Sequence, residues 1–231
     1  LRIGVLKTGR PPRPAIATHG TYPAMFMRLL GAEAHDWRVY SVDEGHLPGA
    51  PEDCDAYIIT GSAAGVYDDE PWIAGLLDFL RGARGQAKLV GICFGHQAMA
   101  QAFGGRVIKS PKGWGIGAHD YRILAREPWM DGSDALRLPA SHQDQVVEVP
   151  PGAEITVGSE FTPIAGLVWR DHPSISFQPH PEFEPAYARA LIESRRGKVY
   201  DPSEADRAVD SYASADDRAR VAGWIGRFLA G

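Results

Sequence analysis

The segment Lys88-Leu89-Val90-Gly91-Ile92-Cys93-Phe94-Gly95-His96-Gln97-Ala98-Met99-Ala100 decides how the chain is read. Its first five residues form an apolar run of strand length and its last seven have a helical composition, so it predicts strand, sharp turn, helix. Gly91 and Gly95 flank the turn in a Gly-x-Cys-x-Gly arrangement, the cysteine form of a nucleophile elbow. The glycines relieve crowding, and the central side chain is pushed out of the strand end. The helix aims its N-terminal amides at the sulfur, which favours a thiolate, and the amide of Phe94 is placed to receive an oxyanion. The competing reading is a small buried cysteine between a core strand and a core helix, because free cysteine is among the most buried residues. Glycines on both sides of a strand-to-helix turn favour the nucleophile. Cys54, in Pro51-Glu52-Asp53-Cys54-Asp55, has acidic neighbours that disfavour a thiolate and no glycine elbow, and it reads as structural.

Outward from the elbow, short apolar runs alternate with helical patterns. Arg2 to Leu6, Trp37 to Val42 and Ala56 to Thr60 read as strands, and Tyr22 to Leu30 and Pro71 to Arg84 as helices ended by Gly31 and Gly85. Such alternation favours a parallel sheet covered by helices, an α/β fold. From Arg106 to Val168 the pieces are shorter and broken by Gly, Pro and Asp, as in antiparallel strands; they include Tyr121 to Leu124, Val146 to Val149 and Ala165 to Trp169. Ser174 to Gln178 reads as a further core strand, and Glu184 to Arg196 and Glu204 to Leu229 as surface helices. Thr8 to Gly20, with Pro11, Pro12 and Pro14, reads as a stiff loop after the first strand and is assigned no chemistry.

A thiol nucleophile needs a base, and the chain has 8 histidines. His180 stands at the end of the predicted strand, in Gln178-Pro179-His180-Pro181-Glu182-Phe183, between prolines that stiffen its backbone. Glu182 follows two residues later, where a carboxylate orients an imidazole and favours its charged form. The bland alternative is a helix-entry sequence in which Glu182 stabilises a helix N-terminus. His96 lies on the elbow helix as a pocket-lining candidate without established reach to the sulfur. His19, His35, His46, His119 and His172 read as solvated or structural. A metal site from His142, Asp144, His180 and Glu182 is conceivable on ligand chemistry, but no HExxH or Cys-x-x-Cys pattern supports it.

Composition narrows the functions. Lysine plus arginine number 24 against 29 acidic residues, a net charge of -5, so no excess of positive charge calls for nucleic acid. The first segment has too short an apolar run for a signal peptide, and no run is long enough to span a bilayer. Two cysteines are too few for a disulfide framework. A soluble cytoplasmic protein is the expectation.

Gly91-Ile92-Cys93-Phe94-Gly95-His96-Gln97 together with Pro179-His180-Pro181-Glu182 resembles the class I glutamine amidotransferases, most closely stand-alone proteins similar to the glutaminase domain of GMP synthase. The resemblance runs from the first strand to the helix after Glu182. It implies a Rossmann-like class I amidotransferase fold: a central, mostly parallel sheet flanked by helices, with a smaller antiparallel β part. Residues 1–231 then form a single domain, with a core at about 1–193 and a helical tail at 194–231. The family triad falls on Cys93, His180 and Glu182, and the oxyanion donors on the amides of Phe94 and Gly61. Gln97 matches a glutamine that helps hold the substrate, and Ser141, His142, Gln143 and Asp144 match the segment that grips the amino-acid end of glutamine. In the implied reaction Cys93 attacks the side-chain amide, ammonia leaves with a proton from His180, and water releases glutamate from a γ-glutamyl thioester. No metal or organic cofactor is implied.

Two residues depart from the pattern. Gln143 stands where many members have glycine, which puts strict glutamine specificity in doubt, and Gly115 replaces an acid expected in many relatives. Nothing resembles a P-loop or an ammonia-acceptor site, so nitrogen would pass to a separate synthetase or go free. The rival functions are a self-sufficient γ-glutamyl peptidase with the same triad and a catalytically silent regulatory module. An α/β-hydrolase is disfavoured because its acid precedes its histidine in the chain.

Overall fold

Strands buried on both faces read as near-continuous apolar runs, and four such runs form the middle of one large sheet. The computed structural model describes residues 1–231. Its strands are β1 (Arg2–Lys7), β2 (Asp36–Ser41), β3 (Ala56–Ile59), β4 (Lys88–Ile92), β5 (Arg106–Lys109), β6 (Gly115–Ile123), β7 (Ala135–His142), β8 (Asp144–Glu148), β9 (Ala153–Gly158), β10 (Gly166–Trp169) and β11 (Ser174–Phe177). Nine of them form one sheet in the order β2-β1-β3-β4-β11-β10-β9-β6-β7, and β5 and β8 form an antiparallel ribbon. From β2 to β11 all pairings are parallel; from β11 to β7 all are antiparallel. The α/β expectation holds, and most of the antiparallel part continues the core sheet.

The helices are α1 (Arg13–His19), α2 (Tyr22–Leu30), α3 (Pro71–Ala83), α4 (Phe94–Ala102), α5 (Pro185–Arg195), α6 (Pro202–Asp210) and α7 (Arg218–Ala230). In α3 the buried residues are Ile73, Leu76, Leu80 and Ala83, a helical stripe that faces the sheet. Strand alternation separates the two faces. Tyr57, Ile59 and Leu89 join Leu76, Phe94 and Met99 under α3 and α4, whereas Ile58, Val90 and Ile92 join Phe26, Trp224 and Ile225 under α2 and α7. A third apolar cluster, including Tyr22, Phe183, Tyr187, Leu191 and Tyr200, sits between α2, α5 and α6.

Several local expectations change. Residues 13–19 form a helix where a loop was expected, because Pro14 lies in the first turn, where a missing N–H costs nothing. The long helix expected from Glu204 to Leu229 is broken into α6, a short 3-10 turn (Ser211–Ala213) and α7. The break covers the edge of the sheet: Asp217 accepts a hydrogen bond from the amide of Arg137 on β7 at 2.7 Å and donates its own amide to the Arg137 carbonyl at 2.8 Å. Strand β7 carries Pro139 in its interior, which an edge strand tolerates. No helix is long and apolar enough to cross a membrane.

Candidate active site

Three neighbouring strand ends assemble the site. In register, Ile59 of β3 pairs with Gly91 of β4, and Ile92 of β4 pairs with Phe177 of β11. The residues just beyond those ends are therefore Gly61, Cys93 and the Gln178–Glu182 segment, side by side where open parallel sheets gather ligands. The Cys93 amide donates to the Phe177 carbonyl at 2.9 Å, and the His180 amide donates to the Pro139 carbonyl at 2.8 Å. The histidine is thus tied to both halves of the sheet.

Cys93 sits at the N-cap of α4 with φ 54° and ψ -103°, the only non-glycine residue with positive φ. Such backbone is costly for an L-residue and persists only where the surroundings impose it. They do so here through the two glycines. A Cβ on Gly91 would stand 2.5 Å from the Gly95 carbonyl oxygen and 2.6 Å from the Met99 sulfur, and one on Gly95 would collide with the Ile59 carbonyl. Helix and strand approach too closely for any side chain at either position.

His180 is buried, with Nδ1 2.8 Å from Oε1 of buried Glu182 and its ring stacked on Phe183 at 3.8 Å. The Cys93 side chain lies beside the imidazole, close enough to favour its charged form. Because Nδ1 is taken by Glu182, Nε2 is the nitrogen left for the sulfur. Burial opposes charging this imidazole, but the negative charges of Cys93 and Glu182 outweigh it and push its pKa up to about 10. Gly61 lies against the same pair: a Cβ there would be 3.1 Å from His180 Cε1 and 3.8 Å from Cys93 Cβ. The Gly61 amide donates to no protein acceptor, and the Phe94 amide, first in its helix, has no intrahelical partner. Both are free to bind an anionic oxygen.

Of the ten residues singled out in the sequence, eight line one cleft of about 540 Å³: Gly61, Cys93, Gln97, Ser141, His142, Gln143, Asp144 and His180. Glu182 lies behind His180, and Phe94 turns its side chain into the core against Trp72, leaving only its backbone for the site. Gln97 Nε2 donates to the Asp144 carbonyl at 2.9 Å and to Gln178 Oε1 at 3.1 Å, which joins α4 to the β7–β8 turn. Tyr67, half-exposed on the β3–α3 connection, donates to Asp144 Oδ2 at 2.8 Å across the cleft mouth.

His142 is buried and its Nδ1 meets the Asp144 carbonyl at 3.2 Å. Burial pushes its pKa down to about 3, against the effect of that hydrogen bond, so it is neutral. Its Nε2 is buried without a partner. That atom lies 3.4 Å from where a Cβ of residue 115 would be, but the Phe161 ring, 2.6 Å from the same point, occupies the space. The glycine at 115 therefore accompanies an aromatic ring packed where another side chain would stand.

One candidate leaves the site, and Cys54 is structural as expected. His96 is fully buried, with Nδ1 2.8 Å from Ser176 Oγ and Nε2 3.2 Å from the Ile164 carbonyl, so it joins α4 to the sheet and does not line this cleft. Cys54 is buried beneath β1, near Tyr40 and Tyr57. Conversely, the cleft includes Arg10 and Pro12 of the supposed stiff loop, and also Tyr22, Tyr67, Lys109, Trp114, Phe183 and Arg195. The position of Thr8–Gly20 after a parallel strand was the one available signal for Arg10; the others reach the cleft only through tertiary folding.

Residues 25–195 match the sequence family described as Glutamine amidotransferase class-I. A glutamine amidotransferase-like protein of Schizosaccharomyces pombe is 28% identical over 243 residues, covering 98% of each chain. Gamma-glutamyl peptidase 4 of Arabidopsis thaliana is 30% identical over 175 residues, covering 72% of this chain and 69% of that one. A solved glutamine amidotransferase of Methylobacillus flagellatus superposes with a TM-score of 0.77 at 25% identity, covering 100% of this chain and 92% of the other.

Proposed function

Because the chain belongs to the class I glutamine amidotransferase family, we propose that it hydrolyses the side-chain amide of glutamine through Cys93, His180 and Glu182. The observation that carries this reading is the strained Cys93 beside a histidine whose other nitrogen is held by a buried carboxylate.

Cys93 attacks as a thiolate, and its electron pair forms a bond to the amide carbon. The carbonyl oxygen becomes an oxyanion that accepts hydrogen bonds from the amides of Gly61 and Phe94. Collapse breaks the carbon–nitrogen bond while His180, as imidazolium, gives the leaving nitrogen its proton from Nε2. Neutral His180 then takes a proton from water as the water oxygen attacks the γ-glutamyl thioester. Expulsion of the thiolate releases glutamate and restores the starting ion pair. Glu182 holds the ring throughout and stabilises its charged form. Gln97 supports the 141–144 segment, where Asp144, with Lys109 beside it, suits the opposite charges on the amino-acid end of glutamine. Residues 1–231 act as one unit, and the ammonia passes to a separate acceptor protein or to solvent.

A second reading, cleavage of γ-glutamyl peptides, is favoured by the cleft volume, which falls in the range that holds drug-sized ligands. The similarity to a γ-glutamyl peptidase and the side chain of Gln143 in the cleft support it as well. Ammonia release from glutamine, measured beside amine release from γ-glutamyl peptides, with Cys93→Ala as control, separates the two. A higher kcat/KM for glutamine supports the amidotransferase reading. A higher value for the peptides replaces it with the peptidase, and absence of Cys93-dependent turnover on either contradicts both.

A further inference from the structure

In the chemistry above, the leaving nitrogen takes its proton from His180, so it departs along the cleft wall next to that residue. The wall is specific in composition. Phe183 stacks on His180 at 3.8 Å with an interplanar angle of 8°, and Tyr22 stacks on Phe183 at 5.9 Å. Leu191, Trp114 and Arg195 complete this side. The Arg195 guanidinium lies 5.8 Å from the centre of the Trp114 ring, and its only hydrogen bond is from Nη1 to the Tyr200 hydroxyl at 3.1 Å.

The arginine is held in place yet has no acidic partner. Its neighbours differ: Arg196 is paired with Glu193 and Asp206, each at 2.7 Å, and Arg10, also in the cleft, with Glu44 at 2.7 Å. A guanidinium fixed on an aromatic face with most of its donors free matches a carboxylate. Lys109 also lacks an acid pair, but it is in register with Asp144 and so belongs to the opposite, acyl side. Ammonia has no use for an apolar wall ending in a cation.

We propose that this wall is a subsite for the leaving amine and that Arg195 binds a carboxylate carried by that amine. Among γ-glutamyl amides with a substituted leaving nitrogen, those of amino acids or short peptides are then preferred. The inference rests on the Cys93 and His180 roles given above and sharpens the second reading.

The test compares kcat/KM for γ-glutamylglycine, whose leaving amine bears a carboxylate, with that for γ-glutamylmethylamide, whose leaving amine does not. The full chain, Arg195→Gln and Arg195→Lys are measured, with melting temperatures to check folding. The wild type favours γ-glutamylglycine by about tenfold or more, Arg195→Gln abolishes that ratio mainly through KM, and Arg195→Lys keeps part of it. A wild type that cleaves both compounds through Cys93 without preference overturns the subsite and leaves the nucleophile assignment standing. So does an unchanged ratio in Arg195→Gln, which would make the arginine a packing residue. Cys93-dependent turnover of glutamine with no cleavage of either compound overturns the subsite alone, and absence of Cys93-dependent turnover on glutamine as well overturns the assignment and the subsite with it.

Discussion

Nδ1 of His180 stands 2.8 Å from Oε1 of Glu182, two residues further along the chain, and both side chains are buried. A buried imidazole without such a partner stays neutral, as His142 does in the same cleft. The carboxylate and the Cys93 thiolate reverse that preference for His180.

The pH dependence of catalysis follows. The folded pKa of His180 is raised from 6.5 to about 10, so the imidazolium, the proposed proton donor to the leaving group, survives to alkaline pH. The stability it contributes is fully present below its unfolded pKa and is lost as pH rises through about 10. In Glu182→Gln one of the two anions is gone. The alkaline limb of the kcat/KM profile should move to lower pH by about one unit or more, with turnover reduced at every pH. Profiles of the two proteins measured side by side check this.

Gly95→Ala drives a Cβ into the Ile59 carbonyl, where neither helix nor strand has room to retreat. We expect a loss of about 3 kcal/mol of stability, as for overpacking of a tight core. Gly85→Ala is the control, because its φ is +78° but nothing lies within 4 Å of the new Cβ. Only backbone strain is added there, about 1 kcal/mol. Urea midpoints of the two variants should separate accordingly.

Strain at Cys93 predicts an inverted order of stability. With φ at 54° and ψ at -103°, residue 93 is in a conformation that glycine adopts more readily than alanine. Cys93→Gly should therefore unfold at higher denaturant than Cys93→Ala, by about 1 kcal/mol, with both inactive. Chemical denaturation of the pair measures it.

The C-terminal helix α7 is part of the core. Trp224 is fully buried in the cluster under the sheet, 6.1 Å from Trp129 in edge-to-face packing. Trp224→Ala should cost about 4 kcal/mol, and a comparable loss should follow from removing α7. A melting curve of Trp224→Ala close to that of the unaltered chain would place the helix outside the folding unit.

Local pattern carried the elbow and the core strands because their requirements are local: glycines at a tight turn, apolar runs in strands, and proline at helix starts. The antiparallel half was harder to read. Pro139 inside β7 resembles a break, and the place of β7 at the end of the sheet makes it acceptable. The break between α6 and α7 exists because Asp217 pairs with Arg137, a partner eighty residues away that no window of sequence contains. At the site, the juxtaposition of Cys93, His180 and Glu182 was legible from strand-end positions and motif. Tyr67, Lys109, Trp114 and Arg195 were not, since each reaches the cleft from a different element and carries no pattern of its own.

Cys93 is tested by glutamate release from glutamine and from a γ-glutamyl peptide by the full chain and by folded Cys93→Ala, together with the intact mass of protein quenched during turnover. The wild type should carry a γ-glutamyl adduct on Cys93, the variant none, and the variant should lose turnover by about a thousandfold or more. A Cys93→Ala protein that releases glutamate at the wild-type rate would contradict the nucleophile assignment.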